Sequence, residues 1–159
     1  MIRIMRLDGG AGRRRLPHIM PANPKIGTVV FVTVGVARRR PLLANDACHA
    51  LLRELWSEAD RWRVGRYVVM PDHLHFVCCP SESPLPLGRW VGYWKRLVSQ
   101  RWPHPGEVPV FQRDFFDRQL RSEESFVEKW AYIRDNPVRA GLVADWRDWP
   151  YQGEVFRVI

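Results

Sequence analysis

The order of elements in this sequence predicts an α+β fold: an antiparallel or mixed sheet with helices on one face. Three observations carry that expectation. A β-branched run bounded by glycines precedes a long helical stretch. Two strands then follow, separated only by a tight Pro-Asp turn. Two further helical segments flank short strands, with no internal repeat and no linker. The chain has 159 residues, one domain's worth. A basic N-terminal arm is expected over residues 1–25 and a single domain over residues 26–159.

Each element has a local reason. The first 25 residues hold Gly9, Gly10, Gly12, the Arg13-Arg14-Arg15 run and three prolines, which suits an irregular arm. Gly27 to Gly35 reads Gly-Thr-Val-Val-Phe-Val-Thr-Val-Gly, a strand. From Pro41 to Trp62 the pattern becomes helical, with Leu51, Leu55, Ala59 and Trp62 as its buried stripe and Asn45 or Asp46 as its cap. Arg66 to Met70 and His73 to Cys79 form two strands joined at Pro71-Asp72. Gly88 to Trp102 is a second helix, apolar through Trp90, Trp94, Leu97 and Val98, and Pro103 and Pro105 end it. Val108 to Phe111 and Asp117 to Arg121 are short strands around an aromatic turn. Ser122 opens a third helix with Glu123 and Glu124 at its positive end, and Asn136-Pro137 stops it. Trp146 to Tyr151 is an extended strap. Read together, these elements approach a ferredoxin-like plan with a split βαβ unit.

Composition narrows the function. Eight Trp, seven Phe and four Tyr imply a packed core rather than a disordered chain. No apolar run reaches the roughly 20 residues of a membrane span, and the N-terminus lacks the apolar region of a signal peptide. Cys48, Cys78 and Cys79 read as reduced thiols, so a cytoplasmic, nucleoid-associated protein is expected. Lys plus Arg is 25 against 17 Asp plus Glu, a net charge of +8. An arginine-rich excess of this size suits a polyanionic partner, nucleic acid above all.

Two segments carry chemistry. In Pro71-Asp72-His73-Leu74-His75-Phe76, strand alternation puts His73 and His75 on one face and Leu74 and Phe76 on the other. Two imidazoles on adjacent same-face positions can converge on one divalent cation and leave coordination positions open for a substrate oxygen. On the third helix, counted in steps of about 100° from Phe126, the core stripe is Phe126, Val127, Trp130 and Ile133. Tyr132 falls at about 240°, off that stripe, between Lys129 one turn back and Asn136 one turn on. A phenol beside a two-histidine metal site and a basic surface suits nucleophilic attack on phosphorus through a covalent phosphotyrosine.

Three stretches resemble the single-tyrosine HUH transposases, in the branch of REP-associated tyrosine transposases. They are Tyr67-Val-Val-Met-Pro-Asp-His-Leu-His75, Phe111-Gln-Arg-Asp-Phe-Phe-Asp-Arg-Gln-Leu-Arg121 and Tyr132-Ile-Arg-Asp-Asn-Pro-Val-Arg-Ala-Gly-Leu-Val143. Asp145-Trp-Arg-Asp-Trp-Pro-Tyr151 is similar to that family's tail, so the resemblance spans Gly27 to Tyr151. It implies a ferredoxin-like or RRM-like core with the histidine pair on a central strand. It implies nicking of single-stranded DNA near a hairpin, a 5′-phosphotyrosine intermediate, a free 3′-hydroxyl, and Mg2+ or Mn2+ as cofactor. His73 and His75 match the HUH pair, Tyr132 the nucleophile, and Asn136 the third polar ligand. Asp72 departs from the usual Asn or Glu before the first histidine, Phe111 from the usual Trp, and Arg118 from a common His.

The expected partner is single-stranded or hairpin DNA, bound by a monomer or homodimer. Arg38, Arg39, Arg40, Arg89, Lys95, Arg96 and Arg101 alternate with Trp90, Tyr93, Trp94 and Trp102, and Arg118 and Lys129 add charge near the matched motifs. Trp90 and Trp94 share the buried stripe and read as core. Three other functions compete. One is a host-adapted hairpin-binding protein with little turnover. Another is a replication-initiator or relaxase-type nickase, though such enzymes are generally larger. The last is a phosphodiesterase without a covalent step.

Overall fold

The structure, a computed structural model, describes residues 27–158. The arm expected over residues 1–25 lies outside the described residues. Five strands form one antiparallel sheet in the order β4-β1-β3-β2-β5. They are β1 (Val29–Gly35), β2 (Trp62–Val69), β3 (His73–Pro80), β4 (Phe116–Leu120) and β5 (Gln152–Glu154). Helices α1 (Asp46–Glu58), α2 (Leu87–Arg101) and α3 (Glu123–Arg134) pack on the sheet. A single turn, α4 (Asn136–Arg139), follows α3. β3 lies between β1 and β2, so the ferredoxin-like order holds and β5 extends it by one strand.

The helices do not share one face. α1 and α2 cover Val30, Val32, Val34, Leu74, Phe76 and Cys78 with Leu52, Leu55, Trp56, Trp90, Trp94 and Val98. α3 and the tail cover the opposite face, where Val29, Phe31, Val68 and Val77 meet Phe126, Ile133 and Trp149. The reason is in β1 and β3, which are apolar at consecutive positions rather than alternating ones. A strand buried on both sides needs a layer on each.

Several element boundaries shift. α1 is shorter than the stretch from Pro41 to Trp62, beginning where the Asn45 side chain accepts from the Cys48 amide at 2.9 Å. Trp62 belongs to β2, and its indole N–H donates to the Leu85 carbonyl at 2.7 Å. Its three-residue spacing from Ala59 matched a helix by coincidence. Residues 108–111 make no strand beyond a single bridge of Phe111 to Val36. Val127, placed in the core stripe by helical phase, is 63% exposed. The side of α3 that meets the sheet and the tail is Phe126, Trp130 and Ile133, and Val127 lies outside it. The tail is more ordered than a strap. A 3-10 turn at Trp146–Asp148 leads into β5, and the buried Trp149 donates its indole N–H to the Val69 carbonyl at 3.0 Å. The three cysteines are free thiols, with Cys48 and Cys78 buried.

Candidate active site

β3 brings the two histidines to the α3 side of the sheet. Leu74 and Phe76 point to the α1/α2 side and are fully buried, which fixes the register and therefore the histidine face. The imidazole centroids are 4.8 Å apart with the rings nearly perpendicular. Across the ladder, Thr33 pairs with His75 and Gly35 with His73. The Thr33 hydroxyl lies 2.8 Å from His75 Nδ1, and Asp72 Oδ1 lies 2.7 Å from His73 Nδ1. Both Nδ1 atoms are thus engaged, which leaves the Nε2 atoms as the ring nitrogens that could meet a ligand. Phe31 stacks on His75 at 5.5 Å. Burial, the neighbouring His73 and the charges of Lys129 and Arg139 pull the His75 imidazolium down to about 3. His75 is therefore neutral at physiological pH, the form that ligates metals.

A second layer holds the first. Arg39 Nε lies 3.1 Å from Asp72 Oδ2, so one carboxylate joins a guanidinium to an imidazole. Arg38 and Arg39 have φ of 59° and 55°, left-handed values that cost a non-glycine residue energy. Gly35, directly opposite His73, lies against the Gln112 side-chain amide: an added Cβ would come within 2.9 Å of it, so that amide would have to move aside. The Gln112 backbone N–H also donates to the Gly35 carbonyl at 2.8 Å, so the Gln112 segment closes this end of the sheet.

The arrangement makes a prediction. Asp72→Ala is expected to weaken Mn2+ binding by about ten- to a hundredfold, the usual penalty for removing the carboxylate behind a histidine ligand. Arg39→Met should weaken it less, because Asp72 still reaches His73. Titration of Mn2+ by electron paramagnetic resonance measures both, and unchanged affinity in Asp72→Ala would overturn the assignment.

α3 begins at a reciprocal cap. Ser122 Oγ accepts from the Ser125 amide at 3.1 Å, and the Ser122 amide donates to Ser125 Oγ at 3.2 Å. Tyr132 is 52% exposed on this helix, as its phase implied. The Arg139 guanidinium lies over its ring, 3.9 Å from the centroid, and donates to the Tyr132 carbonyl. Asn136 is not on α3 but opens α4, with Pro137 at the first turn. Its Oδ1 accepts from Arg139 Nη2 at 3.0 Å, while its Nδ2 is buried and has no partner among the described residues.

The other predicted residues divide by face. Lys129 Nζ sits 5.0 Å from the Phe31 ring centroid, beside His75. Arg118 pairs across the ladder with Phe31, on the same face, and its charge helps lower Lys129, after burial. Arg38 is exposed next to Arg39, whereas Arg40 is tied to the Ala37 and Pro109 carbonyls at 3.0 and 2.7 Å. Arg89 and Arg96 are exposed on α2, with the sheet between them and the histidines. Arg101 pairs with Glu54 and Glu58 on α1. Lys95 donates to the Gln112 and Arg113 carbonyls at 2.7 and 3.1 Å, and burial lowers its ammonium to about 8. It is a strut for the Gln112 segment. The expected aromatic interleaving also contracts: Trp90, Trp94 and Trp102 are buried and only Tyr93 stays exposed.

Three residues of the site escaped sequence reasoning. Thr33 could not be found without the β1–β3 register. Asp72 was noted only as a departure from a pattern. Arg139 lies past the Asn136-Pro137 stop of the expected helix, and only the α4 turn brings it over Tyr132.

Comparison with known proteins agrees with the resemblance. No family model matches the chain. A REP-associated tyrosine transposase of Escherichia coli K12 is 27% identical over 128 residues, covering 79% of this chain and 75% of that protein. A Haemophilus influenzae protein provisionally given the same name is 26% identical over 94 residues, covering 52% of this chain and 53% of its own. A solved REP-associated tyrosine transposase bound to a REP hairpin superposes with a TM-score of 0.67 at 24% identity, over 79% of this chain and 75% of that one. That superposition establishes a shared fold.

Proposed function

From this kinship to REP-associated tyrosine transposases, we propose that the chain nicks and rejoins single-stranded DNA at or near a hairpin, with Tyr132 as nucleophile. The observation that carries the reading is the histidine pair. Its rings converge on a central strand with both Nδ1 atoms engaged, under the helix that presents an exposed tyrosine.

The donor set fits a divalent cation in part. His73 and His75 would hold Mg2+ or Mn2+ through Nε2. No cluster of three or more His, Cys, Asp or Glu stands among the described residues, so further ligands come from Asn136, water or the substrate. Asn136 Oδ1 accepts one hydrogen bond from Arg139, which leaves its second lone pair for an ion. When bound, the ion supplies Lewis-acid polarisation of a phosphate oxygen.

The chain's own groups do the rest. The Tyr132 phenol oxygen forms a bond to phosphorus as the bond to the 3′ oxygen breaks. The phenol proton passes to water, and the departing 3′ oxygen takes a proton from solvent. The 5′ phosphate stays on Tyr132, and attack by a 3′-hydroxyl reverses the step and rejoins the strand. Thr33, Asp72 and Arg39 hold the imidazoles in place throughout. Lys129, Arg118 and Arg139 make this face positive, where the backbone approaches.

Binding should favour hairpin or single-stranded DNA over plain duplex of the same length, because unpaired strand can reach a face closed by α3. Affinity should fall roughly 20- to 40-fold between about 50 and 200 mM salt if about three phosphates are neutralised. Fluorescence anisotropy with labelled hairpin and duplex measures both, and equal affinities would count against the reading.

A further inference from the structure

Phe116 is the exception among the chain's seven phenylalanines. Phe31, Phe76, Phe111 and Phe126 are buried, and Phe115 and Phe156 are half-buried. Phe116 is 52% exposed and belongs to neither core. Its neighbour Phe115 packs against the α1/α2 core, with the Lys95 ammonium 5.9 Å from its ring centroid. One exposed ring signifies little by itself. Its position gives it meaning.

β4 is the outer strand of the sheet. Phe116 pairs with Thr33, which pairs in turn with His75. Directly paired residues share a face. Phe116, Thr33 and His75 therefore form one row across the histidine face, with the exposed ring at its outer end. Two strand spacings separate Phe116 from His75, about 10 Å between backbones. A nucleotide flanking a phosphate at the histidines can cover that span. The next residue of β4 on this face is Arg118, exposed and opposite Phe31, and Lys129 stands over the Phe31 ring from α3. The one acidic residue of β4, Asp117, alternates to the other face. The surroundings of the ring on its own strand are thus suited to a polyanion that carries flat apolar groups.

We infer that Phe116 is a stacking platform for one unpaired nucleobase of the bound strand, the base beside the phosphate at the histidine pair. The identity of the strand rests on the proposed reading, while the platform stands on the exposure of the ring and its place in the ladder. Every base has a π-face, so the contact tolerates sequence. A base inside a duplex has both faces covered by its neighbours and cannot use the ring. Arg118 and Lys129 meet the backbone, and Phe116 meets the base.

The probes are a short oligothymidylate and a strand of the same length built from abasic deoxyribose phosphates, which differ only in their bases. Both are titrated into the full chain with chelator present, and fluorescence anisotropy measures the two affinities. The unaltered chain should prefer the oligothymidylate. Phe116→Ala should cut that preference by about five- to a hundredfold, the loss of one stacked base, and leave the abasic strand bound as before. Phe116→Trp should keep the preference. Phe116→Leu, apolar but without a π-face, should lose most of it. On the unaltered chain, where no variant has to fold, a strand with 5-iodouracil in place of thymine should cross-link to Phe116 on irradiation, as located by mass spectrometry. An unchanged preference in Phe116→Ala, an equal loss on both probes, or cross-linking only at other residues would each overturn the inference. So would a change in the sedimentation mass of the free chain in Phe116→Ala, which would mean that a second copy covers the ring. The proposed reaction fails separately. A Phe116-dependent preference without any covalent adduct on metal addition would sink the reaction and leave the platform, and an adduct at Tyr132 with the preference unchanged in Phe116→Ala would do the reverse.

Discussion

Tyr132→Phe is expected to fold, to bind hairpin DNA as the unaltered chain does, and to form no covalent adduct. The phenol is 52% exposed and its oxygen has no structural bond to lose among the described residues. The Phe ring keeps its place under the Arg139 guanidinium. The stability change should stay within about 0.5 kcal/mol, the range of a surface substitution. Strand cleavage should drop by at least about 10⁴-fold, as it does when a nucleophile is removed and binding is kept. Mass spectrometry of the trapped adduct settles the identity of the nucleophile. The competing tyrosines are placed poorly. Tyr67 is buried, its hydroxyl bonded to His49 and Arg53 at 2.7 Å each, and burial raises its pKa. Tyr151 packs edge-on against Trp149 and His49. Tyr93 is exposed, but on α2, across the sheet from the histidines. Phosphotyrosine at any of these three would show the assignment to be wrong.

Replacing His73 and His75 together by Ala should abolish cleavage and Mn2+ binding while the sheet stays folded. The strand is held by Leu74, Phe76 and Cys78 on the opposite face, all fully buried, and these are untouched. The loss of the Thr33 bond and the Phe31 stacking costs about 1 kcal/mol or somewhat more. Each single variant should lose nearly as much activity as the double, because groups that act as one unit are not additive. Mn2+ should support cleavage at least as well as Mg2+, since imidazole nitrogen suits the softer ion. Cleavage that survives the double substitution, or excess chelator, would remove the metal from the mechanism. Circular dichroism on the same sample separates loss of the site from loss of the fold.

Local patterns in the sequence were enough for the histidine face, the phase of Tyr132 and the order of the elements. Strand alternation has a period of two and a helix a period of 3.6, and both are properties of a segment by itself. Thus His73 and His75 share a face whatever packs on it, and Tyr132 lies off the stripe of Phe126 and Ile133 whatever that stripe covers. The same reasoning overreached where a period continued past its element. Trp62 fits a helical spacing but lies in β2, and Val127 fits the stripe but meets solvent.

What only the tertiary structure decided are the contacts between segments distant in sequence. Thr33 meets His75 because β1 and β3 pair in one register, and a register is chosen by the burial of every residue on both strands at once. The split of basic residues between two faces has the same origin. Arg89, Lys95, Arg96 and Arg101 share a helix with a basic pattern, yet that helix packs on the side away from the histidines. One of the four is a strut and another an ion-pair partner. Charge is a property of a residue, but the partner it faces is set by how the layers stack. That is why the chain's sequence alone yields a basic protein with a histidine pair and an exposed tyrosine. Packing selects Arg139, Arg118 and Lys129 as the cations beside them.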